Sequence, residues 1–376
     1  MKSEIGNRKL EIMKIALTLA KRGIGKTSPN PAVGAVIVKG GRIIGKGYHK
    51  KAGLAHAEIN ALLKAGAKAK GADMYVTLEP CNHFGKTPPC TDAIIKAGIK
   101  RVFIGMEDPN PLIQGNGARQ LRNAGITVES RILEDKCKDI NEAYIKYITA
   151  KIPFVTLKLA STIDGRIATC TGESKWITGL TSRMFVHRMR ANADAVMVGI
   201  GTILKDNPEL TTRFVKGKDP VKIVVDSKLR IPPGARVLNS GEGGIIVATT
   251  KERSQRSEVR SQKEKRIKSL QAKGVDILLL PSQNGVVDLK ALMRELGKRE
   301  ITSLIIEGGS TLAASAIKQG IIDKATIFTA PKILGKEGLP MIGDLAIRRL
   351  KHAIRLSRFE CKRLGEDILV QGYLKK

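Results

Sequence analysis

Aromatic residues are scarce in this chain: Phe, Trp and Tyr make up 3% of its 376 residues, and there is a single Trp. Because 42% of the residues are hydrophobic, sizeable cores have to be built from Ile, Leu, Val and Ala. The chain also lacks any run of about 18 uncharged apolar residues, so we expect no membrane-spanning helix and no membrane partner. The opening stretch MKSEIGNRKLEIMK has no apolar core, and we therefore expect no secretion signal.

Cysteine is also infrequent, and its distribution does not suit a disulfide framework. The five cysteines are Cys81, Cys90, Cys137, Cys170 and Cys361. An odd number at scattered positions argues against systematic pairing. We therefore expect reduced thiols and a cytoplasmic protein.

The formal net charge is +31, which would suit either a nucleic-acid partner or a phosphorylated small substrate. The basic residues are spread along the chain. The densest stretch, residues 251–268, has eight basic and three acidic residues and no interleaved aromatics for base stacking. We interpret it as a solvated helix or surface insertion, with a partner site as the alternative.

The length favours two domains, and we expect the boundary near residue 150, just before Pro153. Helices alternate with strands throughout, which predicts α/β sheets covered on both faces. In the first half we expect helices over 8–22 and 135–149, a hairpin over 32–49 that turns at Gly40-Gly41, and strands at 73–78, 101–106 and 126–130. In the second half we expect strands at 154–161, 194–199, 221–226, 245–249, 275–280, 302–307, 325–330 and 367–373.

The stretch LAHAEINALLKAG, residues 54–66, reads as an amphipathic helix that carries two polar residues near its first turn. Its apolar stripe would consist of Leu54, Ile59, Leu62 and Leu63. His56 and Glu58 stand two residues apart at its start. Taken alone, such a histidine is more often structural or solvated than part of a site.

The downstream stretch TLEPCNHFGKTPPC, residues 77–90, supplies partners for these two residues. His56, Cys81 and Cys90 would make a three-ligand zinc set, which leaves the fourth position open for water as in catalytic sites. Glu58 would then shuttle protons between this water and a leaving amine. If His83 were a fourth ligand, the site would instead be closed and structural.

The stretches TSPNPAVGAVIV, HAE and EPCNHFGKTPPC resemble the deaminase half of the bifunctional riboflavin-biosynthesis deaminase–reductases. Eight residues separate the two cysteines, whereas two separate them in nucleobase deaminases generally. The resemblance implies one Zn²⁺ per chain and substrate contacts at Asn30, His49 and Lys86. Lys86 suits a phosphate and Asn30 a pyrimidine edge.

The second half has no G-x-G-x-x-G after its first strand, so it lacks a Rossmann fingerprint. The stretch LIIEGGSTLAASAIKQG, residues 304–320, is the alternative. A strand that ends at Glu307, two glycines and a helix that opens at Ser310 would let backbone N–H groups approach a phosphate. An ordinary tight turn has the same pattern.

The stretches LKLASTIDGRIA, ESKWITG, VGIGTILKDNPELTTR and VVDSKLRIP resemble the reductase half of the same family. The resemblance implies an α/β chain with a cytidine-deaminase-like three-layer domain at 1–149 and a dihydrofolate-reductase-like domain, which uses NADPH, at 150–376. The implied cofactor contacts are Ala160, Trp176, Thr202, Asp206, Ser227, Gly309, Ser310, Thr311, Leu312, Ala313, Ala314 and Ser315. The implied substrate contacts are Ser174, Arg190, Leu210, Arg213 and Glu307.

The resemblance therefore implies a bifunctional enzyme of riboflavin biosynthesis. It would deaminate 2,5-diamino-6-(5-phosphoribosylamino)pyrimidin-4(3H)-one hydrolytically with zinc and then reduce the ribosyl group to ribityl with NADPH. We expect this phosphorylated pyrimidine as the partner, no nucleic acid, and a homo-oligomer. Two alternatives are an RNA or DNA deaminase with an appended binding domain, and a non-catalytic protein with a structural zinc.

Overall fold

The computed structural model describes residues 2–84, 88–251 and 257–375 of the chain. These form two compact units, Met1–Lys151 and Ile152–Lys376. In the described ranges, no helix combines the length and the apolar character needed to cross a membrane.

The first unit is built on one five-stranded sheet. Its strands are β1 (Gly34–Lys39), β2 (Arg42–Tyr48), β3 (Asp73–Leu78), β4 (Arg101–Met106) and β5 (Thr127–Glu129). They lie in the order β2-β1-β3-β4-β5, with β1 antiparallel to both neighbours and β3, β4 and β5 parallel. The β1–β2 hairpin turns at Gly40 and Gly41, both of which have positive φ, as two-residue hairpin turns require.

Six helices accompany this sheet. They are α1 (Lys2–Ala20), α2 (Ala57–Ala65), α3 (Cys90–Lys96), α4 (Asn116–Asn123), α5 (Glu134–Ile140) and α6 (Glu142–Ala150), with short 3₁₀ turns at Lys21–Gly23 and Gly66–Ala69. The core is aliphatic, as the composition predicts, and its aromatic members include the stacked pair Tyr75 and Phe103.

Helix α2 begins at Ala57 rather than at Leu54, and the predicted apolar stripe holds only in part: Leu62 packs partly buried against the core, whereas Leu54 and Leu63 do not. Leu54 is 51% exposed and Leu63 is 75% exposed, whereas the buried face carries Ala57 and Ala61. The reason lies in strand β2, because a Cβ at Gly47 would meet the carbonyl oxygen of Ala57 at 2.2 Å. Helix and strand thus approach through backbone and small side chains, which leaves no room for leucine between them.

The predicted helix over 135–149 is divided into α5 and α6 at Asn141. The Asn141 side chain is buried and makes two hydrogen bonds to Ala32: Oδ1 accepts from its N–H and Nδ2 donates to its carbonyl oxygen. An asparagine amide that satisfies a distant backbone competes with continuous helix in this way. The break therefore ties the end of the unit to the segment before β1.

The second unit contains a nine-stranded sheet and two short two-stranded ladders. Its strands are β6 (Phe154–Thr162), β7 (Arg166–Ala168), β8 (Ala195–Gly199), β9 (Val221–Val225), β10 (Ile245–Thr250), β11 (Asp276–Leu280), β12 (Ser282–Gln283), β13 (Val286–Val287), β14 (Ser303–Glu307), β15 (Lys324–Ala330), β16 (Leu339–Pro340), β17 (Leu356–Leu364) and β18 (Asp367–Leu374). The large sheet has the order β11-β10-β9-β8-β14-β6-β15-β18-β17, parallel from β11 to β15 and antiparallel at β18 and β17.

The helices of this unit cover both faces of the parallel strands. They are α7 (Leu180–Asn192), α8 (Ile200–Asp206), α9 (Arg236–Asn239), α10 (Ser257–Gln271), α11 (Leu289–Lys298) and α12 (Ser310–Lys318), with a 3₁₀ turn at Leu350–His352. Along β8, Ala195 and Met197 belong to one buried cluster while Val196 and Val198 belong to another. This alternation is what a sheet with two cores produces, and it confirms the predicted α/β class.

Strand β17 was not expected from the sequence. Its nine residues, LSRFECKRL, are exposed or partly exposed and do not alternate, because the strand lies at the sheet edge. The basic segment 251–268 lies partly outside the described residues, and its described part belongs largely to α10.

Candidate active sites

The first candidate site joins three predicted metal ligands at the ends of two helices. The His56 Nδ1 atom lies 3.3 Å from Cys90 Sγ and 3.6 Å from Cys81 Sγ. His56 is the N-cap of α2, Cys90 is the first residue of α3, and Cys81 follows β3. In the described part of the chain, these are the residues whose His, Cys, Asp or Glu donor atoms cluster closely enough to hold a metal ion, all within 4.8 Å.

The local sequence explains how α3 presents Cys90. Pro88 and Pro89 precede the helix, and Pro89 is its N-cap. Proline is suited to a helix start because it costs no backbone hydrogen bond there. The Cys90 backbone N–H donates to Cys81 Sγ at 3.4 Å, so the helix start itself bonds the second sulfur.

The donor set fits zinc. In a tetrahedral site with Zn–N near 2.0–2.1 Å and Zn–S near 2.3 Å, nitrogen and sulfur ligand atoms lie about 3.5 Å apart. The two measured nitrogen–sulfur distances, 3.3 and 3.6 Å, bracket that value. The hydrogen bond from the Cys90 thiol is the main cause that holds the pKa of Cys81 below that of a free thiol, which favours the thiolate form that zinc binds. One imidazole and two sulfurs leave a fourth position for solvent.

Glu58 lies in the first turn of α2 beside these ligands, and 4% of its surface is exposed. Burial is the main cause that raises the pKa of its carboxyl group to about 7, with a further contribution from Cys81. His83, by contrast, is exposed and does not belong to the described donor cluster, so the described geometry contains three protein ligands and not four.

Two predicted substrate contacts lie next to the donor set. The Asn30 Nδ2 atom lies 3.2 Å from His49 Nε2, and the His49 ring centroid lies 5.2 Å from that of His56. His49 Nδ1 lies 3.3 Å from the carbonyl oxygen of Ala55, which makes Nδ1 the protonated nitrogen and Nε2 the acceptor for Asn30. Lys86, the third predicted contact, lies outside the described residues.

The second candidate site is a cavity of about 570 Å³ in the second unit. It lies at the carboxyl ends of the parallel strands β8 and β14, beside residues 158–160 of the longer strand β6, and the carboxyl ends of parallel strands are where open α/β sheets bind ligands. Among its lining residues are eight predicted cofactor contacts: Ala160, Trp176, Thr202, Asp206, Gly309, Ser310, Thr311 and Leu312. Four predicted substrate contacts also line it: Ser174, Arg190, Arg213 and Glu307.

The Gly308-Gly309 turn does bring backbone to this cavity. Gly308 has φ of +125°, and the Gly309 N–H donates to Thr202 Oγ1 at 3.4 Å. A side chain at Gly308 would lie 2.7 Å from the same oxygen, so the turn needs glycine. The sequence-based expectation of a close backbone approach thus has a geometric basis.

The remaining predicted contacts are not among the cavity-lining residues. Leu210, Ala313 and Ala314 are buried in the core, and the Ser315 hydroxyl accepts from the Gln319 amide. Ser227 Oγ accepts from the backbone N–H of Val287 at 3.1 Å. These five assignments remain predictions.

Arg190 and Glu307 both line the cavity, and two hydrogen bonds join them as an ion pair. Burial acts to raise the pKa of Glu307, but the Arg190 guanidinium outweighs it and brings the pKa to about 2. Arg190 Nη1 also donates to the carbonyl oxygen of Thr211 at 3.0 Å. Arg190 is therefore held by the protein itself, while the half-exposed Arg213 pairs with Glu209 near the cavity mouth.

Among the cavity residues that are not predicted contacts, Lys158 and His187 carry titratable side chains with shifted pKa values. Lys158 on β6 lines the cavity, and its Nζ lies 5.8 Å from the centroid of the Phe328 ring. Burial lowers the pKa of Lys158, and nearby Glu307 partly opposes this. His187 on α7 also lines the cavity and is 5% exposed. Lys158 lies in the stretch LKLASTIDGRIA, which carries part of the family resemblance, whereas His187 lies in none of the stretches that carry it.

Comparison with known proteins agrees with this two-site arrangement. Residues 7–106 match the family model of the cytidine and deoxycytidylate deaminase zinc-binding region, and residues 153–370 match the RibD C-terminal domain. The riboflavin biosynthesis protein RibD of Aquifex aeolicus is 48% identical over 359 residues, which cover 95% of this chain and 96% of the relative.

Solved structures extend the likeness to the fold. Acinetobacter baumannii RibD, form 1, superposes with a TM-score of 0.86 at 37% identity, over 99% of this chain and 100% of that one. A diaminohydroxyphosphoribosylaminopyrimidine deaminase/5-amino-6-(5-phosphoribosylamino)uracil reductase from Thermotoga maritima gives a TM-score of 0.82 at 39% identity, over 98% and 99% of the two chains.

The fold and the two sites thus define an enzyme that joins a deaminase of the zinc-binding cytidine deaminase class to a reductase. The chain belongs to the RibD family, the bifunctional deaminase–reductases of riboflavin biosynthesis. Both halves are accounted for, whereas a nucleic-acid deaminase with an appended binding domain leaves the RibD C-terminal match unexplained.

Proposed function

We propose that residues 1–149 deaminate 2,5-diamino-6-(5-phosphoribosylamino)pyrimidin-4(3H)-one, and that residues 150–376 then reduce the ribosyl group of the product with NADPH. The observation that carries the proposal is the cluster of His56, Cys81 and Cys90 beside the buried carboxyl group of Glu58. The activity for which the Thermotoga maritima relative is named supports the choice of substrate.

His56, Cys81 and Cys90 would hold one zinc ion, which when bound acts as a Lewis acid that makes water nucleophilic near neutral pH. Glu58 would accept a proton from the attacking water and donate it to the departing amino group. Its burial keeps bulk water away from the carboxyl group, so the proton passes to the amine rather than to solvent.

Asn30 and His49 bind the pyrimidine in this proposal. Because Asn30 Nδ2 donates to His49, the Asn30 Oδ1 atom is turned to accept from a ring N–H or amino group of the substrate. The hydrogen bond from His49 to Ala55 fixes the imidazole next to His56. Lys86 remains the predicted phosphate contact of this site.

When bound, NADPH would supply hydride to the anomeric carbon of the ribosyl group, and the cavity residues would bind and orient the two molecules. As the new carbon–hydrogen bond forms, the bond from this carbon to the ring oxygen breaks, and that oxygen needs a proton. Lys158 lines the cavity with an ammonium whose pKa is lowered by burial, so it is suited to donate this proton.

The first experiment measures metal content and both half-reactions of the purified chain. We expect one zinc per chain, ammonia release from the diaminopyrimidinone without NADPH, and NADPH oxidation only when deaminated substrate is present. Ammonia release without any subsequent NADPH oxidation would contradict the reductase assignment, and the reverse result would contradict the deaminase assignment.

The second experiment tests the role of Glu58 with E58Q. The variant should retain zinc, lose deamination, and still reduce substrate that has been deaminated beforehand. Unchanged ammonia release would remove Glu58 from the mechanism. Loss of both activities would show that the two sites depend on each other.

The cytoplasmic location and homo-oligomeric assembly predicted from the sequence belong to the same proposal. The free thiols of the five cysteines suit a reducing compartment. Light scattering of the purified chain distinguishes a homo-oligomer from a monomer.

A further inference from the structure

His187 is a buried histidine in the wall of the reductase cavity. It is neither a predicted substrate contact nor the proposed proton donor. It lies on α7, three residues before Arg190, so both side chains leave the same face of the helix. It is 5% exposed and lines the cavity. The ring packs edge-on against Phe214, with the centroids 4.6 Å apart.

One hydrogen bond determines which nitrogen of His187 carries the proton. The backbone N–H of Arg213 donates to His187 Nδ1 at 3.0 Å. Since a backbone N–H can only donate, Nδ1 is the acceptor and the neutral ring carries its hydrogen on Nε2. Over the described residues, nothing in the protein accepts this hydrogen.

The surroundings of His187 favour an anion as the missing acceptor. Lys158, the Arg190–Glu307 pair and Arg213, which also pairs with Glu209, all act on its imidazole, and among the groups that act on it three are cationic and one is anionic. Burial is the main cause that lowers the pKa of His187 to about 4, which keeps the ring a neutral Nε2–H donor at physiological pH. The neutral Nε2–H group of His187, beside the cations of Arg213 and Lys158, is suited to donate a hydrogen bond to one oxygen of a phosphate monoester.

We infer that His187 is a further substrate-binding residue of the reductase site, which donates Nε2–H to a phosphate oxygen of the phosphoribosyl group while its Nδ1 holds the Arg213 backbone. This inference rests on the proposed reductase function. The same ring would therefore both bind the phosphate and position the segment that carries Arg213.

Two conservative substitutions separate these two contributions. The H187N side chain retains an acceptor near Nδ1 but has no donor near Nε2, whereas the H187Q amide reaches the position of Nε2. H187A removes both. R188A serves as the control, because Arg188 is the next residue on α7, is exposed, and is absent from the cavity wall.

The assay measures KM and kcat for 5-amino-6-(5-phosphoribosylamino)uracil and for its dephosphorylated ribosyl analogue. We expect H187A and H187N to raise KM for the phosphorylated substrate about tenfold or more, as for a lost hydrogen bond to a charged group, with a much smaller effect on kcat. With the analogue, wild type and both variants should have similar KM values. H187Q should recover much of the lost affinity, and R188A should match wild type.

Each other pattern overturns the inference. If H187N but not H187Q had a KM for the phosphorylated substrate close to that of wild type, His187 would act only by holding the Arg213 backbone. Equal losses with the phosphorylated and dephosphorylated substrates, or no loss in H187A, would remove the phosphate contact. Thermal unfolding of each variant identifies a folding defect, which would affect both substrates alike. If wild-type protein does not oxidise NADPH at all, the proposed reductase function fails, independently of His187.

Discussion

The guanidinium of Arg190 and the carboxylate of Glu307 meet side by side, with Nε 2.6 Å from Oε1 and Nη2 2.8 Å from Oε2. Their side chains are 12% and 9% exposed, so the pair lies nearly dry between α7 and the end of β14. From the sequence, both residues are predicted as separate substrate contacts. Their pairing means that each also determines the charge and position of the other.

The first prediction is that E307Q destabilises the second unit strongly. It leaves the Arg190 charge buried without its counter-ion, which typically costs about 3–5 kcal/mol. E295Q is the control, because Glu295 forms exposed pairs with Lys298 and Arg299 that are worth about 1 kcal/mol or less. Urea unfolding of the second unit measures both changes.

The double variant R190M/E307Q extends this test. Removal of the buried charge together with its partner should restore part of the stability that E307Q loses. If E307Q is no less stable than E295Q, the ion pair does not contribute to the folded state in the way its geometry indicates.

The second prediction concerns removal of zinc. C81S and C90S should each lower bound zinc to well below one per chain and abolish deamination, because two protein ligands rarely retain the metal. Reduction of deaminated substrate should persist in both variants. C361S is the control, since Cys361 is exposed on β17 and lies outside the described donor cluster. Metal analysis and separate assays of ammonia release and NADPH oxidation measure these effects. One zinc per chain in C81S or C90S would contradict the proposed ligand set.

The sequence predicted most strands of both sheets because their apolar runs are buried on one or two faces. Strands β3 and β4 begin and end where they were expected. The sequence did not predict features of the structure that depend on a partner far away in the chain. The helix break at Asn141 is decided by Ala32, 109 positions earlier, and the edge strand β17 is decided by its pairing with β18 rather than by hydrophobic alternation.

The same difference between local motifs and distant partners applies to the candidate sites. His56 and Cys81 stand in motifs whose spacing has chemical meaning, and the fold brings their donor atoms within 3.6 Å. Lys158 lies in a stretch that resembles the family and His187 in none, but the place of both residues in the cavity follows from the register of β6 and the face of α7. The pairing of Arg190 with Glu307 could not be predicted, because 117 positions separate the two residues.

The third prediction tests the close approach of α2 to β2. A Cβ added at Gly47 would lie 2.2 Å from the carbonyl oxygen of Ala57 and 2.5 Å from the backbone nitrogen of Ala61. G47A should therefore displace the start of α2, where His56 is the N-cap, and cost the first unit about 1–3 kcal/mol. We also expect weaker zinc binding, measured by competition with a chromophoric chelator.

The control for this change is G234A. An added Cβ at Gly234 meets nothing within 4 Å, and its φ is not in the left-handed region. Stability and zinc affinity should therefore stay close to those of wild type. Equal behaviour of G47A and G234A would mean that the helix can move away from β2 without disturbing the metal ligands.

The fourth prediction is a pH dependence that originates from His187. Its pKa is about 4 in the folded chain, against an ordinary value of 6.5, so the unfolded chain binds the proton more strongly. His187 therefore contributes stability that is fully present above pH 6.5 and is lost as pH falls towards 4. Among the charged groups around it, Glu307 has a pKa of about 2 and stays ionised in this range, and Arg190, Arg213 and Lys158 are retained in any His187 variant, so their own contributions cancel in the comparison.

H187N tests this dependence, because asparagine does not titrate and keeps an acceptor for the Arg213 N–H. The free energy of unfolding of the second unit should differ from wild type by a constant amount above pH 6.5. Between pH 6.5 and 4 wild type should lose stability relative to the variant, since only wild type has to keep a buried imidazole unprotonated. H352N, which removes an exposed histidine, should give a curve parallel to that of wild type. If the unfolding free energies of wild type and H187N also stay parallel between pH 6.5 and 4, the imidazole binds its proton equally well in the folded and the unfolded chain. The cationic and desolvated surroundings of His187 in the cavity would then not lower its pKa.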